Sequence, residues 1–180
     1  MQIRPAIQLQ GIMKTMKDNV LPAIDPNNKV AIEQTNLILG TLSLMLQRID
    51  LEYRYDCDEL QRLLGFSNVL IQQTKGGLES RSAIAELEIV TAQCEDVLDR
   101  ARVEPKELLK AVRSLRAKVS EVIMAIFLDG EAESKKAIRE GVLAHAKEQL
   151  LRERSWFIQQ GWEPDSEKVP AIESLLKKLH

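Results

Sequence analysis

Apolar residues recur at intervals of three and four along most of this chain, and that spacing constrains its fold more than any other feature. Residues spaced in this way lie on one face of an α-helix. The spacing is strictest near the middle of the chain, at Leu108, Val112, Leu115, Val119, Val122 and Ile126. Aromatic residues make up only 4% of the chain, and Leu, Ala, Glu, Lys and Arg abound, which favours helix over strand. We therefore predict an all-α protein.

Proline and glycine residues divide the chain into separate helices. Asp25-Pro26 and Glu104-Pro105 each resemble a helix start, with a capping residue followed by proline at the first helical position. Gly76-Gly77 and Asp129-Gly130 mark turns. The predicted helices span residues 4–22, 26–49, 57–75, 79–102, 105–128, 131–160 and 168–179.

The short connections make consecutive helices antiparallel. The predicted fold is an up-and-down antiparallel bundle of about six long helices plus a short C-terminal helix. A chain of 180 residues fits one domain, so residues 1–180 are assigned to a single helical domain. Within it, residues 161–180 are predicted to form a C-terminal arm that packs on the body or on a partner subunit.

The charge and the apolar pattern argue against nucleic acids and membranes as partners. The net charge is −2, which exerts no strong pull on a polyanion or an anionic membrane. The longest apolar run, residues 37–46, is shorter than the roughly 20 residues that cross a bilayer. We predict instead a helix buried on most of its faces.

The cysteines and the N-terminus predict a cytoplasmic protein. Cys57 and Cys94 lie far apart in the sequence, and we interpret both as reduced, buried residues rather than a disulfide. The first residues contain polar side chains throughout and lack the apolar core of a secretory signal.

The sequence offers little catalytic chemistry. It has no nucleophile elbow, phosphate-binding loop or dinucleotide fingerprint, and its histidines are His145 and His180. We predict no metal and no cofactor, and we favour a non-enzymatic role. The acidic residues around Tyr53 are interpreted as caps of a helix that begins near Cys57; they are Asp50, Glu52, Asp56, Asp58 and Glu59.

Residues 59–73 resemble a helix-turn-helix motif. Gly65 stands at the turn, Ser67 would cap the second helix, and Gln72 and Gln73 would face the major groove. Apolar residues in the reading helix and the scarcity of nearby cations argue against DNA binding. An ordinary core helix is the favoured interpretation.

Three further features suggest contact surfaces. The aromatic residues Trp156, Phe157 and Trp162 either anchor the C-terminal arm or form an interface hot spot. Gly40 lies in the most apolar helix, and either close packing or a ligand pocket with Thr41 and Ser43 would offset its cost to the helix. A basic stripe is interpreted as a solvated face or as a surface for an acidic partner, and comprises Lys106, Lys110, Arg113, Arg116 and Lys118.

Taken together, these patterns predict a bundle that works by binding. The first hypothesis is protein–protein association, including formation of a homodimer through the C-terminal region. The second is a small apolar-ligand-binding protein, or an accessory subunit of an enzyme, with its pocket beside Gly40. The third is a DNA-binding regulator that uses residues 59–73.

Overall fold

A computed structural model describes residues 4–100, 103–161 and 163–177. It confirms the predicted fold class, because seven helices, six long and one short, pack in antiparallel pairs. Within these residues there is no β-strand, only an isolated bridge between Gly76 and Gly130. The helices are α1 (Pro5–Thr15, continued by a π-helical segment Met16–Val20 and by Leu21–Ala23), α2 (Lys29–Arg48), α3 (Glu52–Gln73), α4 (Leu78–Asp99), α5 (Pro105–Asp129), α6 (Ala132–Phe157) and α7 (Ile172–Leu175).

The chain divides into two compact units. Unit A contains the described residues within 1–52 and 152–175, and unit B contains those within 53–151 and 176–180. The assignment of residues 1–180 to a single domain, with 161–180 as an arm, stays a prediction.

The core of unit B follows the apolar spacing seen in the sequence. All six residues of the strict stripe in α5 are buried, and Leu87 and Cys94 of α4 are buried with them. The antiparallel pairing of α4 with α5 is thus confirmed. Pro105 occupies the first turn of α5 after Glu104, as the sequence predicted.

The helix starts differ from prediction where two signals compete. Asp25 accepts a hydrogen bond from the N–H of Asn27, 2.9 Å away, and forms a local turn. Asn28 caps α2 instead by accepting from the N–H of Ala31 at 3.1 Å, so α2 begins three residues later than predicted. The predicted start of α3 near Cys57 is also wrong, because the helix begins at Glu52.

Prolines explain the irregular ends. Pro22 has no N–H to donate inside a helix, and the π-helical segment Met16–Val20 lies just before it. Residues before a proline favour extended backbone, and Val169, which precedes Pro170, has φ −95° and ψ 119°. Of the predicted helix 168–179, Ile172–Leu175 form the short α7, which begins after Pro170, and residues 178–179 lie outside the described residues.

Asp129 holds together the corner of unit B where two turns meet. Its carboxylate accepts hydrogen bonds from the Ser80 hydroxyl, from the Ser80 N–H at 3.0 Å and from the Glu79 N–H at 2.8 Å. The free N–H groups at the start of α4 are therefore capped by a side chain from the end of α5. The Ser80 hydroxyl above all, and then these N–H groups, lower the pKa of Asp129 below its ordinary value.

We expect this carboxylate to make stability depend on pH in the acid range. Because the folded pKa lies below the unfolded value of about 3.9, its contribution is complete above that pH and is lost as pH falls through the folded pKa. Denaturant unfolding from pH 7 to pH 3 should show wild type losing its advantage over Asp129→Asn. Glu140→Gln, a change at an exposed carboxyl of α6, is the control and should leave that pH dependence unchanged. A constant difference between wild type and Asp129→Asn over the whole range would contradict the expectation.

Candidate interaction surface

Helix α2 exposes large apolar side chains along one face. They stand at three levels along the helix, seven or eight residues apart, which is about two helical turns. They therefore share one side of the helix. Between Glu33 and Arg48 this helix has no charged residue. The exposed residues, named here the α2 face, are Val30, Leu37, Ile38 and Met45.

The sequence predicted that this helix is buried on most of its faces, and that prediction is wrong. Only four residues of α2 are buried in the described chain: Thr35, Leu39, Leu44 and Arg48. Apolar composition predicts that side chains are buried, but it does not predict whether the same chain or another molecule buries them. Large exposed apolar patches are typical of interaction surfaces.

Helix α1 adds to the apolar surface of unit A. It contacts α2, yet none of its residues is buried. Ile7 and Ile12 are exposed, and the helix contains few charged side chains. The α2 face is thus not the only apolar surface in unit A.

The proposed pocket residues lie on α2 with little around them. Gly40 is exposed, and a Cβ atom there would meet only the Gln160 side chain, 3.8 Å away. Close helix packing therefore does not explain this glycine. The Thr41 hydroxyl donates to the Leu37 carbonyl at 2.9 Å, and Ser43 accepts from Gln47 at 3.4 Å. A ligand pocket at these residues stays a prediction.

Arg48, at the end of α2, joins that helix to the end of α6. The residue is buried, and its guanidinium donates to the Trp156 carbonyl at 3.2 Å and to the Ser155 carbonyl at 3.3 Å. It also lies 5.4 Å from the centre of the Trp156 ring and 3.6 Å from a carboxylate oxygen of Glu173. A cation placed near the last carbonyls of a helix is favoured by hydrogen bonding and by the helix dipole.

The segment after α6 packs within unit A. Val169 and Ile172 are buried. The Ser155 hydroxyl donates to the Pro170 carbonyl at 2.6 Å, and Arg154 forms two hydrogen bonds of 2.8 Å with Glu163. Whether residues 161–180 form an arm that packs on the body or on a partner subunit stays a prediction.

The predicted aromatic cluster divides into separate roles. Trp156 is half-buried beside Arg48, which is an anchoring contact. Phe157 follows it and is exposed, as an interface residue would be. Trp162 lies outside the described residues. A role of all three in an interface stays a prediction.

The helix-turn-helix interpretation is wrong, because α3 runs without a break from Glu52 to Gln73. Gly65 lies in the middle of this helix, and Ser67 is fully buried instead of capping a second helix. Glycine lowers helix propensity by only about 1 kcal/mol, which the buried apolar face of α3 outweighs.

The acidic residues near the start of α3 have other partners than predicted. Asp58 is buried and accepts from the Arg62 side chain at 2.8 Å and from the Lys177 N–H at 3.0 Å. Glu59 pairs with Arg116 of α5. The capping interpretation is therefore wrong for these two. In the part of the chain that the structure describes, no group of three or more His, Cys, Asp or Glu side chains could hold a metal ion.

The two cysteines are buried, and His145 is half-buried. Cys57 and Cys94 are both free and buried, as predicted. Burial raises the pKa of each thiol, which disfavours the reactive thiolate. His145 stacks on Phe66, with ring centres 4.7 Å apart.

Comparisons with known proteins add no relative. No protein-family model, no curated protein and no solved structure matches this chain. Of the helices described, none is long and apolar enough to span a bilayer.

Proposed function

We propose that this protein works by association with a second copy of itself through the apolar surface of unit A. The observation that carries the proposal is the exposed α2 face, which lies on the most apolar stretch of the sequence. We place the homodimer in the cytoplasm and give it a non-enzymatic role.

Symmetry favours a second copy as the partner. In a twofold dimer the same patch contacts itself, so a charged patch would repel its own image. From Leu37 to Met45 the α2 face carries no charged residue, and the exposed Glu33 lies at its N-terminal end, between Val30 and Leu37. The charge of this stretch is therefore compatible with self-contact.

The interface must extend beyond one helix. A stable complex buries about 800 Å² on each partner, which is more than a single helix face provides. Ile7 and Ile12 of α1 and Phe157 at the end of α6 are exposed apolar residues of the same unit. We propose that they, together with Trp156 and Trp162, belong to the interface or support it.

Replacement of Ile38 by glutamate tests the proposal. Ile38 is 49% exposed, so the change should leave the fold intact. We expect the dimer Kd to rise about 100-fold or more, because the interface would bury one unpaired carboxylate from each copy. Sedimentation velocity over a range of concentrations measures this shift, and circular dichroism checks the helix content.

Ile89→Glu is the matched control. Ile89 is 60% exposed on α4 of unit B, and the substitution is the same. We expect this variant to dimerise as wild type does. A wild-type protein that stays monomeric at high concentration, or an equal loss in both variants, would refute association through the α2 face.

A further inference from the structure

One face of α5 is exposed along the whole helix and changes character along its length. From Lys106 to Leu128 its residues follow one another at intervals of four, three, eleven and four positions. Each interval is close to a whole number of helical turns. The N-terminal half is basic, and the C-terminal half is apolar apart from Glu121, which pairs with Lys118. The face, named here the α5 face, comprises Lys106, Lys110 and Arg113, followed by Met124 and Leu128 with the adjacent Phe127.

The three cations of the α5 face are unneutralised. Among the residues that the structure describes, none forms an ion pair with Lys106, Lys110 or Arg113. Other basic residues of the α4·α5 pair do have partners: Arg100 pairs with Glu107, Arg116 with Glu59, and Lys118 with Glu86 and Glu121. Positive charge therefore concentrates on one half of one helix face, in a chain whose net charge is −2.

The cations border a groove that also has an apolar component. This groove is a shallow depression on α5 alone, largely open to solvent, with a volume of about 490 Å³; it is lined by Lys106, Leu109, Lys110, Arg113 and Ser114. Leu109 is only half-buried. A ligand in this groove would make ion pairs and apolar contacts together.

We propose that the α5 face is a docking site for an amphipathic helix of another protein. The acidic half of that helix pairs with the three cations, and its apolar half packs on Met124, Phe127 and Leu128. Carboxylates three or four residues apart in the partner match the spacing of the cations, because both helices rise 1.5 Å per residue. Complementary charge selects the partner and speeds its approach.

The arrangement of charges favours a protein helix over a membrane or a nucleic acid. In a helix that lies on a membrane, an apolar stripe runs the full length and the cations face the water. On α5 the cations occupy the N-terminal half of the exposed face, where such a stripe would continue. A nucleic acid would use the basic half and leave the apolar half without a contact.

A synthetic helical peptide provides the test. It carries glutamate at i, i+4 and i+7 in one half and leucine at that spacing in the other half, with a fluorescent dye at one end. Fluorescence anisotropy with the full chain should show saturable binding that weakens as salt rises. The double variant Lys110→Glu, Arg113→Glu should bind about tenfold more weakly or worse.

Matched controls identify the α5 face as the site. Lys136→Glu, a reversal at an exposed lysine of α6, should bind the peptide as wild type does. Met124→Ser with Phe127→Ser should weaken binding, and a peptide with glutamine in place of glutamate should bind less tightly. The dimer variant Ile38→Glu should retain full binding, which separates this site from the α2 face.

Three results would overturn the proposal. The first is no saturable binding of the peptide to wild type, and the second is equal binding by wild type and the double variant. The third is binding of phosphatidylserine vesicles or of a single-stranded oligonucleotide that the double variant loses while the peptide does not bind. That result would assign the face to a membrane or to a nucleic acid.

Discussion

Replacement of Arg48 by methionine should lower the free energy of unfolding by about 3 kcal/mol. The side chain is only 10% exposed, and its guanidinium is the donor to the carbonyls of Ser155 and Trp156. Methionine fills much of the space but has no hydrogen-bond donor. Two carbonyl groups near the end of α6 therefore lose a charged donor. Urea denaturation followed by circular dichroism measures the change.

Two further variants isolate the cause of that loss. Arg139→Met removes an exposed arginine of α6 and should change stability by less than about 0.5 kcal/mol. Arg48→Lys retains the charge but not the planar fork, so we expect an intermediate loss. If Arg48→Met were no more destabilising than Arg139→Met, the contacts of Arg48 would contribute nothing measurable to the stability of unit A.

Local sequence signals predicted most of the fold. The apolar stripe of α5 identified both the helix and its buried face, because periodic burial is the main constraint on a helix that packs against others. Gly76-Gly77 lies in the connection between α3 and α4 as predicted, and the predicted turn at Asp129-Gly130 begins where α5 ends, at Asp129. These features depend on residues a few positions apart.

Contacts between distant residues could not be predicted in this way. Asp129 caps a helix that begins 51 residues earlier in the chain, at Leu78. Arg48 reaches carbonyls 107 and 108 residues away, and Asp58 accepts from an N–H 119 residues away. Each acid or base also had a plausible local role, as a cap or a solvated charge. The fold decides between these roles through its tertiary packing.

The candidate surface shows a different limit of sequence reasoning. Ten residues with seven strongly apolar side chains predicted burial for the stretch 37–46, and the chain buries only part of it. The pattern identified the apolar side chains correctly, but it could not predict whether residues of the same chain bury them. The sequence also could not predict which cations of α5 lack an ion pair. Arg116 and Lys118 pair with Glu59 and Glu86 of other helices, and only the fold shows these contacts.

Replacement of Leu115 by alanine should be the most damaging single truncation in α5. Leu115 is 0% exposed at the centre of the buried stripe, and deletion of a leucine side chain from such a site costs about 2–5 kcal/mol. The range reflects how far the neighbouring side chains can move into the space. Urea denaturation at neutral pH should show an earlier transition with a similar slope.

Leu128→Ala on the same helix separates burial from helix propensity. Leu128 is 76% exposed on the α5 face, so the same truncation should change the free energy of unfolding by less than about 0.5 kcal/mol. Both variants gain the same small propensity from alanine, and the difference between them measures burial alone. Equal losses would mean that Leu128 is covered in solution. Because the proposed partner helix would cover it, the comparison of the two leucines without and with saturating helical peptide also reports on the α5 face.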